Sequence, residues 1–426
     1  MSSAAGVERR LTKIIDPRWN MYPCNRVRNE IGVRSEYPMG DRKWTMQPNT
    51  RFILLTVVAL IAASIGGVAS VTGVVTDDEV ERLVAGHVRE LLPSSGASGT
   101  AVVVRINGRT LHFNYGYADV ANNRPITSDS LFNLGSVAKA FDATLLAQAA
   151  LRGELLLDDP VGKYVAEFQR GRDIRRVTLG QLASFTSGLY LPQDHPPWPK
   201  RTFTQSGFLD YLNRWKASKG RQPGKQVIHA QSGFVLLRVA LERRFGMPYG
   251  QLMEHRLLRP LGLTSTTLPV PAGDSRRYPR GQIPITLQQR AVQGYSEEGT
   301  PIGGPGDLQG FYHWVGTGQM YASPRDMAVF LAANLDDLPN NRPLQKAMQL
   351  AQKGVLRFSK RSVGAMAWER HEYEWEIIDR YGGLNNATAM IAMIPARKLG
   401  IVILCNQAGQ SVGTAAHAIL LGLAGR

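Results

Sequence analysis

Short runs of β-branched, aromatic and other apolar residues near both ends of the chain predict paired strands. Residues 100–106 and 109–115 are two such runs, and an Asn-Gly dipeptide separates them. A two-residue Asn-Gly spacer between runs of this kind is the strongest short-range signal for a β-hairpin. Residues 387–394 and 400–405 form a second pair of apolar runs around a short link that contains proline. Both ends of the chain are therefore expected to contribute strands.

Helical periodicity dominates the rest of the chain. Residues 77–92 and 412–423 have the spacing of amphipathic helices, and residues from about 136 to 265 are mostly helical with Pro and Gly interruptions. These patterns predict one α+β domain over residues 77–426. In it, an antiparallel sheet is flanked by helices, and a mostly helical lobe is inserted at about 136–265.

A serine and a lysine three residues apart open one of the apolar helices. The apolar residues recur at helical spacing, at Ala138, Phe141, Leu145, Leu146 and Ala149. Residues three apart on a helix are surface neighbours, so Ser136 and Lys139 can share one face. Gly135 permits a sharp entry turn, and a backbone N–H at a helix start has no intrahelical acceptor. The segment could supply a nucleophile, an amine and half of an oxyanion hole. Alternatively, Ser136 only caps the helix and Lys139 is solvated.

Composition is that of a sizeable globular protein without a metal or nucleic-acid module. The chain has 426 residues, of which 43% are hydrophobic and 20% charged. Its two cysteines, Cys24 and Cys405, do not make a disulfide framework. The eight histidines are dispersed, so we expect no metal and no other cofactor. The net charge of +16 is also dispersed, which indicates a solvated basic surface and no nucleic-acid partner.

The first 76 residues are typical of a targeting segment. Residues 1–51 are a basic leader with ten Lys or Arg against five Asp or Glu, and residues 52–76 carry no charge. This is the layout of a secretory signal peptide, especially if Met46 is the true start. The uncharged run is also long enough to be a membrane anchor, with the basic leader kept in the cytoplasm. We therefore expect an exported domain, either periplasmic or anchored to the outer side of the cytoplasmic membrane.

Several short motifs occur in a fixed order around the serine–lysine pair. They are Gly116-Tyr117-Ala118-Asp119, Leu131-Phe132-Asn133-Leu134, Gly153-Glu154-Leu155, Asp158-Asp159-Pro160-Val161 and Ile394-Pro395-Ala396-Arg397-Lys398-Leu399-Gly400-Ile401-Val402-Ile403-Leu404. With these motifs the chain resembles the serine β-lactamase and penicillin-binding superfamily, and most of all class C β-lactamases. The resemblance implies a two-lobed fold with the active site in the crevice between the lobes. It also implies that Ser136 is the nucleophile and Lys139 its base.

The second motif of that family, Tyr-Ala-Asn, is altered here to His229-Ala230-Gln231. The resemblance gives His229 the role of general base and makes Gln231 a substrate contact. An imidazole is a more natural base near neutral pH than a phenol, but its reach is shorter. The alternative is that His229 is a structural substitution in a site that has lost its activity.

The third motif, usually Lys-Thr-Gly, is altered to Arg380-Tyr381-Gly382. By the resemblance, Arg380 keeps the cation, Gly382 leaves room for substrate, and Tyr381 replaces a threonine that helps to hold the β-lactam carboxylate. The backbone N–H groups of Gly383 and Ser136 would form the oxyanion hole. A shift by one residue would give Tyr-Gly-Gly, which is similar to the Trp-Gly-Gly of the superfamily's esterases. An ordinary edge strand with a glycine kink is the remaining alternative.

The resemblance implies a β-lactamase that hydrolyses the amide of penicillins and cephalosporins through an acyl-enzyme. Tyr295 is similar to a family tyrosine that lines the pocket for the acyl side chain, although it could equally be a packed tyrosine. The altered third motif favours an esterase or a D-amino-acid peptidase of the same superfamily instead. His229 and Gln231 favour a non-catalytic cell-wall or ligand-binding homologue. In each case we expect a monomer whose partner is a small molecule.

Overall fold

An antiparallel sheet of nine strands organises the residues that the computed structural model describes, which are 75–91, 98–190, 205–271, 281–307, 319–338 and 342–425. In these ranges the strands are β1 (Gly99–Ile106), β2 (Arg109–Asp119), β3 (Arg124–Pro125), β4 (Phe132–Asn133), β5 (Val270–Pro271), β6 (Gly281–Gln282), β7 (Tyr321–Ala322), β8 (Leu356–Arg357), β9 (Ser362–Gly364), β10 (Glu369–Glu372), β11 (Glu376–Gly383), β12 (Thr388–Ile394) and β13 (Leu399–Cys405). The order in the large sheet is β3-β2-β1-β13-β12-β11-β10-β9-β8. Two small pairs, β4 with β7 and β5 with β6, lie outside it.

Most of the helices occur between the first and last strands of the sheet. Over the described ranges they are α1 (Asp77–Val88), α2 (Lys139–Leu151), α3 (Leu179–Ala183), α4 (Gln205–Asn213), α5 (Gln231–Phe245), α6 (Tyr249–Met253), α7 (Arg259–Leu261), α8 (Ile285–Gln288), α9 (Pro324–Asn334), α10 (Arg342–Gln352) and α11 (Val412–Ala424). The described residues between 136 and 265 contain helices and turns but no strand. The α+β fold class with a helical lobe, predicted from periodicity, is therefore confirmed.

The strand pairs from the two ends of the chain meet at the centre of the sheet. Asn107 and Gly108 join β1 to β2 with φ values of 51° and 72°, which are the positive angles that a two-residue hairpin turn needs. β13 pairs with β1, so that Val103 lies opposite Val402, and it pairs with β12 on its other side. The predicted hairpin and the predicted second strand pair thus form neighbouring parts of one sheet.

Apolar side chains cover the sheet on both faces. Buried residues of α1 and α11 form one cluster with those of β1, β12 and β13, which we call the terminal-helix cluster. α1 begins with a capping box in which Thr76 and Glu79 each bond the backbone N–H of the other. A larger cluster contains buried residues of α2–α7, α9 and α10, together with those on the other side of the sheet. The sheet is therefore packed between two apolar layers, one on each face.

Helix α2 lies inside the larger cluster. Its residues from Lys139 to Ala149 are all buried, and the Phe141 ring stacks on Phe330 of α9 with their centres 3.8 Å apart. A helix that is buried on every side is typical of a protein interior. The start of α2 is therefore held firmly by the core.

A single turn of 3-10 helix, Gly135–Ala138, leads into α2. Gly135 has a φ of 51°, a left-handed angle that glycine adopts without steric cost. Its N–H donates to Asn133 Oδ1 over 3.2 Å, which fixes the entry to the turn. From the sequence we expected Ser136 at the start of the α-helix. The α-helix instead starts at Lys139, so Ser136 lies in the 3-10 turn before it.

The predicted leader lies outside the described residues. The described residues, from Val75 onward, belong to one compact unit. The targeting function of residues 1–76 and the state of Cys24 therefore stay predictions. Within the described ranges, no helix combines the length and the apolar character needed to cross a membrane. Cys405 is a buried free thiol in β13.

Candidate active site

Ser136 differs from its neighbours in exposure. Every residue from Leu131 to Ala149 is buried except Ser136, which is partly exposed. The hydroxyl therefore reaches the surface from a segment that the core otherwise encloses. Such a group can meet a molecule from solvent while its backbone stays fixed.

Lys139 contacts this hydroxyl directly. Its Nζ donates a hydrogen bond to Ser136 Oγ over 2.9 Å. The lysine is only 1% exposed, and its amine lies 5.6 Å from the centre of the Phe234 ring. Burial of an amine is unfavourable unless polar or aromatic partners compensate for the lost water. At this distance the amine could take the proton of the hydroxyl.

The end of β11 touches the Ser136 turn at the level of the backbone. A Cβ added to Gly382 would lie 2.2 Å from Leu134 O and 2.9 Å from Ser136 N. A Cβ added to Gly135 would lie 3.1 Å from Gly383 N. A Cβ at Gly382 would block this contact, and a Cβ at Gly135 would crowd it. The contact brings the backbone N–H groups of Ser136 and Gly383 into one small region, as an oxyanion hole requires.

Arg380 is buried beside this contact. Its Nε donates to Ser136 O over 3.3 Å, and its guanidinium lies 5.0 Å from the centre of the Phe185 ring. Its Nη1 is 3.9 Å from Glu369 Oε1. Arg380 thus holds the Ser136 turn against β11 and puts a cation next to it.

The structure brings His229 into the same group of residues. Its ring meets the edge of Phe185 with the centres 4.6 Å apart, and its Nε2 lies 3.0 Å from Glu369 Oε1. Burial lowers the pKa of His229 to about 3, and the charges of Arg380 and Lys139 act in the same direction. The ring is therefore neutral at physiological pH and able to accept a proton.

Gln231 is the first residue of α5, which packs against α2. Its Oε1 is buried, and it has no hydrogen-bond partner within the described ranges. A buried acceptor without a partner is unfavourable in a folded protein. Gln231 is therefore suited to receive an N–H group from a bound molecule.

Tyr381 lies on the other face of β11 from Arg380 and Gly382. Side chains alternate between the faces of a strand, and the Tyr381 ring packs against the terminal-helix cluster. A Cβ on Gly383 would lie 2.9 Å from Tyr381 Oη, so the ring runs along that same face. The structure does not bring this side chain to the face of β11 that meets Ser136.

Tyr295 is packed in the interior. It is 3% exposed, and its hydroxyl accepts a hydrogen bond from Val120 N over 3.0 Å. Its backbone bridges to Pro301 and Gln407. Of the two alternatives, a packed tyrosine agrees with this environment better than a pocket-lining residue does.

Asp142 is a site residue that the sequence analysis missed. It follows Lys139 by three positions on α2, is fully buried, and accepts a hydrogen bond from the Tyr249 hydroxyl. Burial raises the pKa of Asp142 to about 7, against the effects of Tyr249, Lys139 and Arg238. The spacing of three from Lys139 was the available signal, because it predicts a shared helix face.

Glu369, at the start of β10, is the second residue that the analysis missed. Its carboxylate contacts Arg380 on the paired strand β11 and also His229, which is far away in sequence. No local pattern could have indicated the contact with His229. Among the described residues, no three His, Cys, Asp or Glu side chains are arranged to hold a metal ion.

Comparison with known proteins identifies the family. The fold is that of the serine β-lactamase superfamily of hydrolases, as the resemblance predicted. The family model described as Beta-lactamase matches residues 80–424, and the chain belongs to that family. It is 27% identical over 376 residues to a beta-lactamase of Pseudomonas fluorescens, which covers 80% of this chain and 98% of the relative. It is 28% identical over 379 residues to a beta-lactamase of Lysobacter lactamgenus, which covers 81% and 91%.

Solved structures share the fold. A class C beta-lactamase superposes with a TM-score of 0.71 at 24% identity, over 82% of this chain and 98% of that structure. A beta-lactamase/D-alanine carboxypeptidase from Pseudomonas syringae gives 0.69 at 24% identity, over 80% and 98%. A D-alanine carboxypeptidase from Burkholderia cenocepacia gives 0.69 at 23% identity, over 82% and 100%.

The contact between β11 and the Ser136 turn predicts the effect of one added methyl group. Gly382→Ala should push the two backbones apart, because its Cβ would lie 2.2 Å from Leu134 O. We expect the free energy of unfolding to fall by about 1–3 kcal/mol, and acylation of Ser136 to be lost. Denaturant titration and labelling with an acylating probe measure the two effects.

The matched control is Gly86→Ala in α1, where an added Cβ meets nothing within 4 Å. This variant should keep its acylation rate and its stability, or gain stability slightly because alanine is the better helix former. Labelling of Gly382→Ala at the wild-type rate would contradict the functional importance of the contact.

The low pKa of His229 predicts the pH dependence of turnover. Because the pKa of His229 is about 3, nearly all of the protein already carries the neutral, proton-accepting ring at neutral pH. The hydrolytic rate should therefore show no inflection near the ordinary histidine value of about 6.5. His229→Tyr should shift the profile towards alkaline pH, because a phenol ionises near pH 10. A wild-type rate that rises through an inflection near 6.5, and that keeps this inflection in Asp142→Asn, would show that His229 titrates normally.

Proposed function

We propose that this protein is a serine hydrolase that forms an acyl-enzyme on Ser136 and hydrolyses the β-lactam amide of penicillins and cephalosporins, as a class C β-lactamase does. The observation that carries the proposal is the 2.9 Å hydrogen bond between Lys139 Nζ and Ser136 Oγ, at the one partly exposed position of a buried segment. Membership of the beta-lactamase family supports a hydrolase, and both named relatives are beta-lactamases.

Acylation uses the serine, the lysine and two backbone amides. Lys139 Nζ takes the proton of Ser136 Oγ as that oxygen bonds to the carbonyl carbon of the β-lactam. The carbonyl oxygen becomes negatively charged and accepts hydrogen bonds from the N–H groups of Ser136 and Gly383. The C–N bond of the ring then breaks, and the proton passes from Lys139 through His229 to the departing nitrogen.

Deacylation uses His229 as a general base. The neutral ring takes a proton from water while the water oxygen bonds to the acyl carbon. The bond from that carbon to Ser136 Oγ then breaks, and Oγ recovers a proton. The low pKa of His229 means that the ring needs no prior loss of a proton, but it also makes the ring a weak base, so the role requires a group that stabilises the imidazolium.

Two side chains fit the polar groups of a β-lactam antibiotic. Such molecules carry a carboxylate, and many carry an acylamino N–H. Arg380 provides a cation beside the Ser136 turn, within the reach of a carboxylate. Gln231 Oε1 is a buried acceptor that an N–H group would satisfy.

A D-amino-acid peptidase is the second candidate, because one structure that shares this fold is described as a D-alanine carboxypeptidase and another as a beta-lactamase/D-alanine carboxypeptidase. Tyr381 packs against the terminal-helix cluster, so no hydroxyl replaces the family threonine on the face of β11 that meets Ser136. A weaker hold on the substrate carboxylate is the expected consequence, for a β-lactam and for a peptide ending in D-alanine alike. The acyl-enzyme on Ser136 is common to both candidates.

Ser136→Ala should abolish acylation, because every covalent step passes through its Oγ. Intact-mass spectrometry after incubation with a penicillin or a fluorophosphonate should show the adduct on the wild-type protein and none on the variant. Ser128→Ala is the matched control, because Ser128 is a partly exposed serine in the turn before β4. An adduct that persists in Ser136→Ala would contradict the assignment, and loss of labelling in Ser128→Ala would show that the assay reports on folding alone.

A parallel substrate assay separates the candidates. A chromogenic cephalosporin, a peptide ending in D-Ala-D-Ala and a short-chain p-nitrophenyl ester are offered to the same preparation. Preferred hydrolysis of the cephalosporin supports the β-lactamase, and preferred release of D-alanine supports the peptidase. Preferred ester hydrolysis supports an esterase. No labelling and no turnover with any of them would leave only the non-catalytic homologue.

A further inference from the structure

Glu369 lies between the two altered motifs of the site. Its carboxylate Oε1 is 3.0 Å from His229 Nε2 and 3.9 Å from Arg380 Nη1. The side chain of Glu369 is 18% exposed and that of His229 is 26% exposed, so the pair is largely removed from water. A buried carboxylate is expensive to maintain unless it has charged or polar partners. The cost suggests that these contacts serve more than stability.

The other titratable groups near Glu369 interact mainly with one another. Asp379 lies directly opposite Glu369 in the pairing of β10 with β11. Its Oδ2 is 2.6 Å from His417 Nε2 and 3.3 Å from His371 Nε2. Although burial opposes it, these two histidines hold the pKa of Asp379 below its usual range. The Asp379 carboxylate therefore pairs with His371 and His417. The Glu369 carboxylate instead contacts His229 and Arg380.

The electrostatic setting explains what a carboxylate would add at this point. Burial and the charges of Arg380 and Lys139 disfavour a proton on His229. A base in that setting is always neutral, but the imidazolium that it becomes during proton transfer is unfavourable. An adjacent carboxylate lowers the cost of that transient charge and fixes the orientation of the ring. Burial and Asp379 raise the pKa of Glu369, whereas Arg380 and His371 oppose the rise.

We propose that Glu369 is a positioning residue for His229 and that its carboxylate, 3.0 Å from Nε2, stabilises the imidazolium that forms when His229 accepts the proton of the deacylating water. The inference rests on the proposed acyl-enzyme function and deepens it. It explains how an imidazole whose protonated form is disfavoured by burial and by Arg380 and Lys139 can serve as the base. The proton gained by His229 passes to Ser136 Oγ when the acyl–oxygen bond breaks, so the cycle returns both residues to their starting state.

The test separates acylation from deacylation. Glu369→Gln keeps the shape of the side chain and removes its charge. It should release the acyl group at least about tenfold more slowly, and it should slow labelling at Ser136 by a smaller factor, because His229 only relays a proton during acylation but is the general base in deacylation. Stopped-flow acylation and the decay of the adduct in intact-mass spectra give the two rates. Glu376→Gln is the matched control, because Glu376 lies on the neighbouring strand and pairs with Arg370 instead.

A double-mutant cycle excludes a purely structural role. If Glu369 acts through His229, then Glu369→Gln should cost nothing further in a protein that already carries His229→Phe. A structural defect would instead slow both backgrounds by the same factor and would lower the thermal midpoint. Glu369→Asp, whose carboxylate is one methylene shorter, should recover only part of the deacylation rate.

Each result has a distinct meaning. Equal losses in the two backgrounds, or deacylation in Glu369→Gln as fast as in Glu376→Gln, would overturn the inference and leave the acyl-enzyme intact. A wild-type protein that forms no adduct at Ser136 would overturn the proposed function and this inference with it. If Glu369→Gln slows deacylation in the protein that retains His229 but not in His229→Phe, the inference is supported.

Discussion

The close approach of β11 to the Ser136 turn is the constraint on which the site depends. It requires a left-handed angle at Gly135 and the absence of a Cβ at Gly382, so two glycines from distant parts of the chain must meet. Once they do, the alternation of side chains along β11 directs Arg380 to the same face, where it bonds Ser136 O. The burial of α2 holds Lys139 against the serine from the other side.

The electrostatics of the site follow from this packing. Arg380 is a buried cation and Lys139 is a buried amine, and burial together with these two groups lowers the pKa of His229. Carboxyl groups accompany both side chains, with Asp142 three residues after Lys139 on α2 and Glu369 beside Arg380 on β10. Sites that carry out proton transfer commonly keep such costly groups, because the charges tune acids and bases.

The parts that could be predicted from sequence are the ones that local rules determine. The hairpin at Asn107 follows from turn chemistry, and the contact between Ser136 and Lys139 follows from a spacing of three. The position of Tyr381 was also accessible, because residues on either side of it in a strand must face the opposite way. Contacts of Glu369 were not accessible, since they depend on how β10, β11 and the segment before α5 come together in space. The resemblance to a known family predicted the architecture. It did not predict the contacts of Glu369, because His229 and Arg380 differ from the family's usual residues.

The central claim is that Ser136 is a nucleophile whose oxyanion hole is formed where β11 meets its turn. A crystal structure with a boronic acid, which mimics the tetrahedral intermediate, tests this most directly. The account predicts a covalent bond from boron to Ser136 Oγ. It also predicts one boronate oxygen within about 2.7–3.1 Å of the backbone nitrogens of both Ser136 and Gly383. A boronate bound without a bond to Ser136, or with its oxygens directed away from Gly383, would contradict the account.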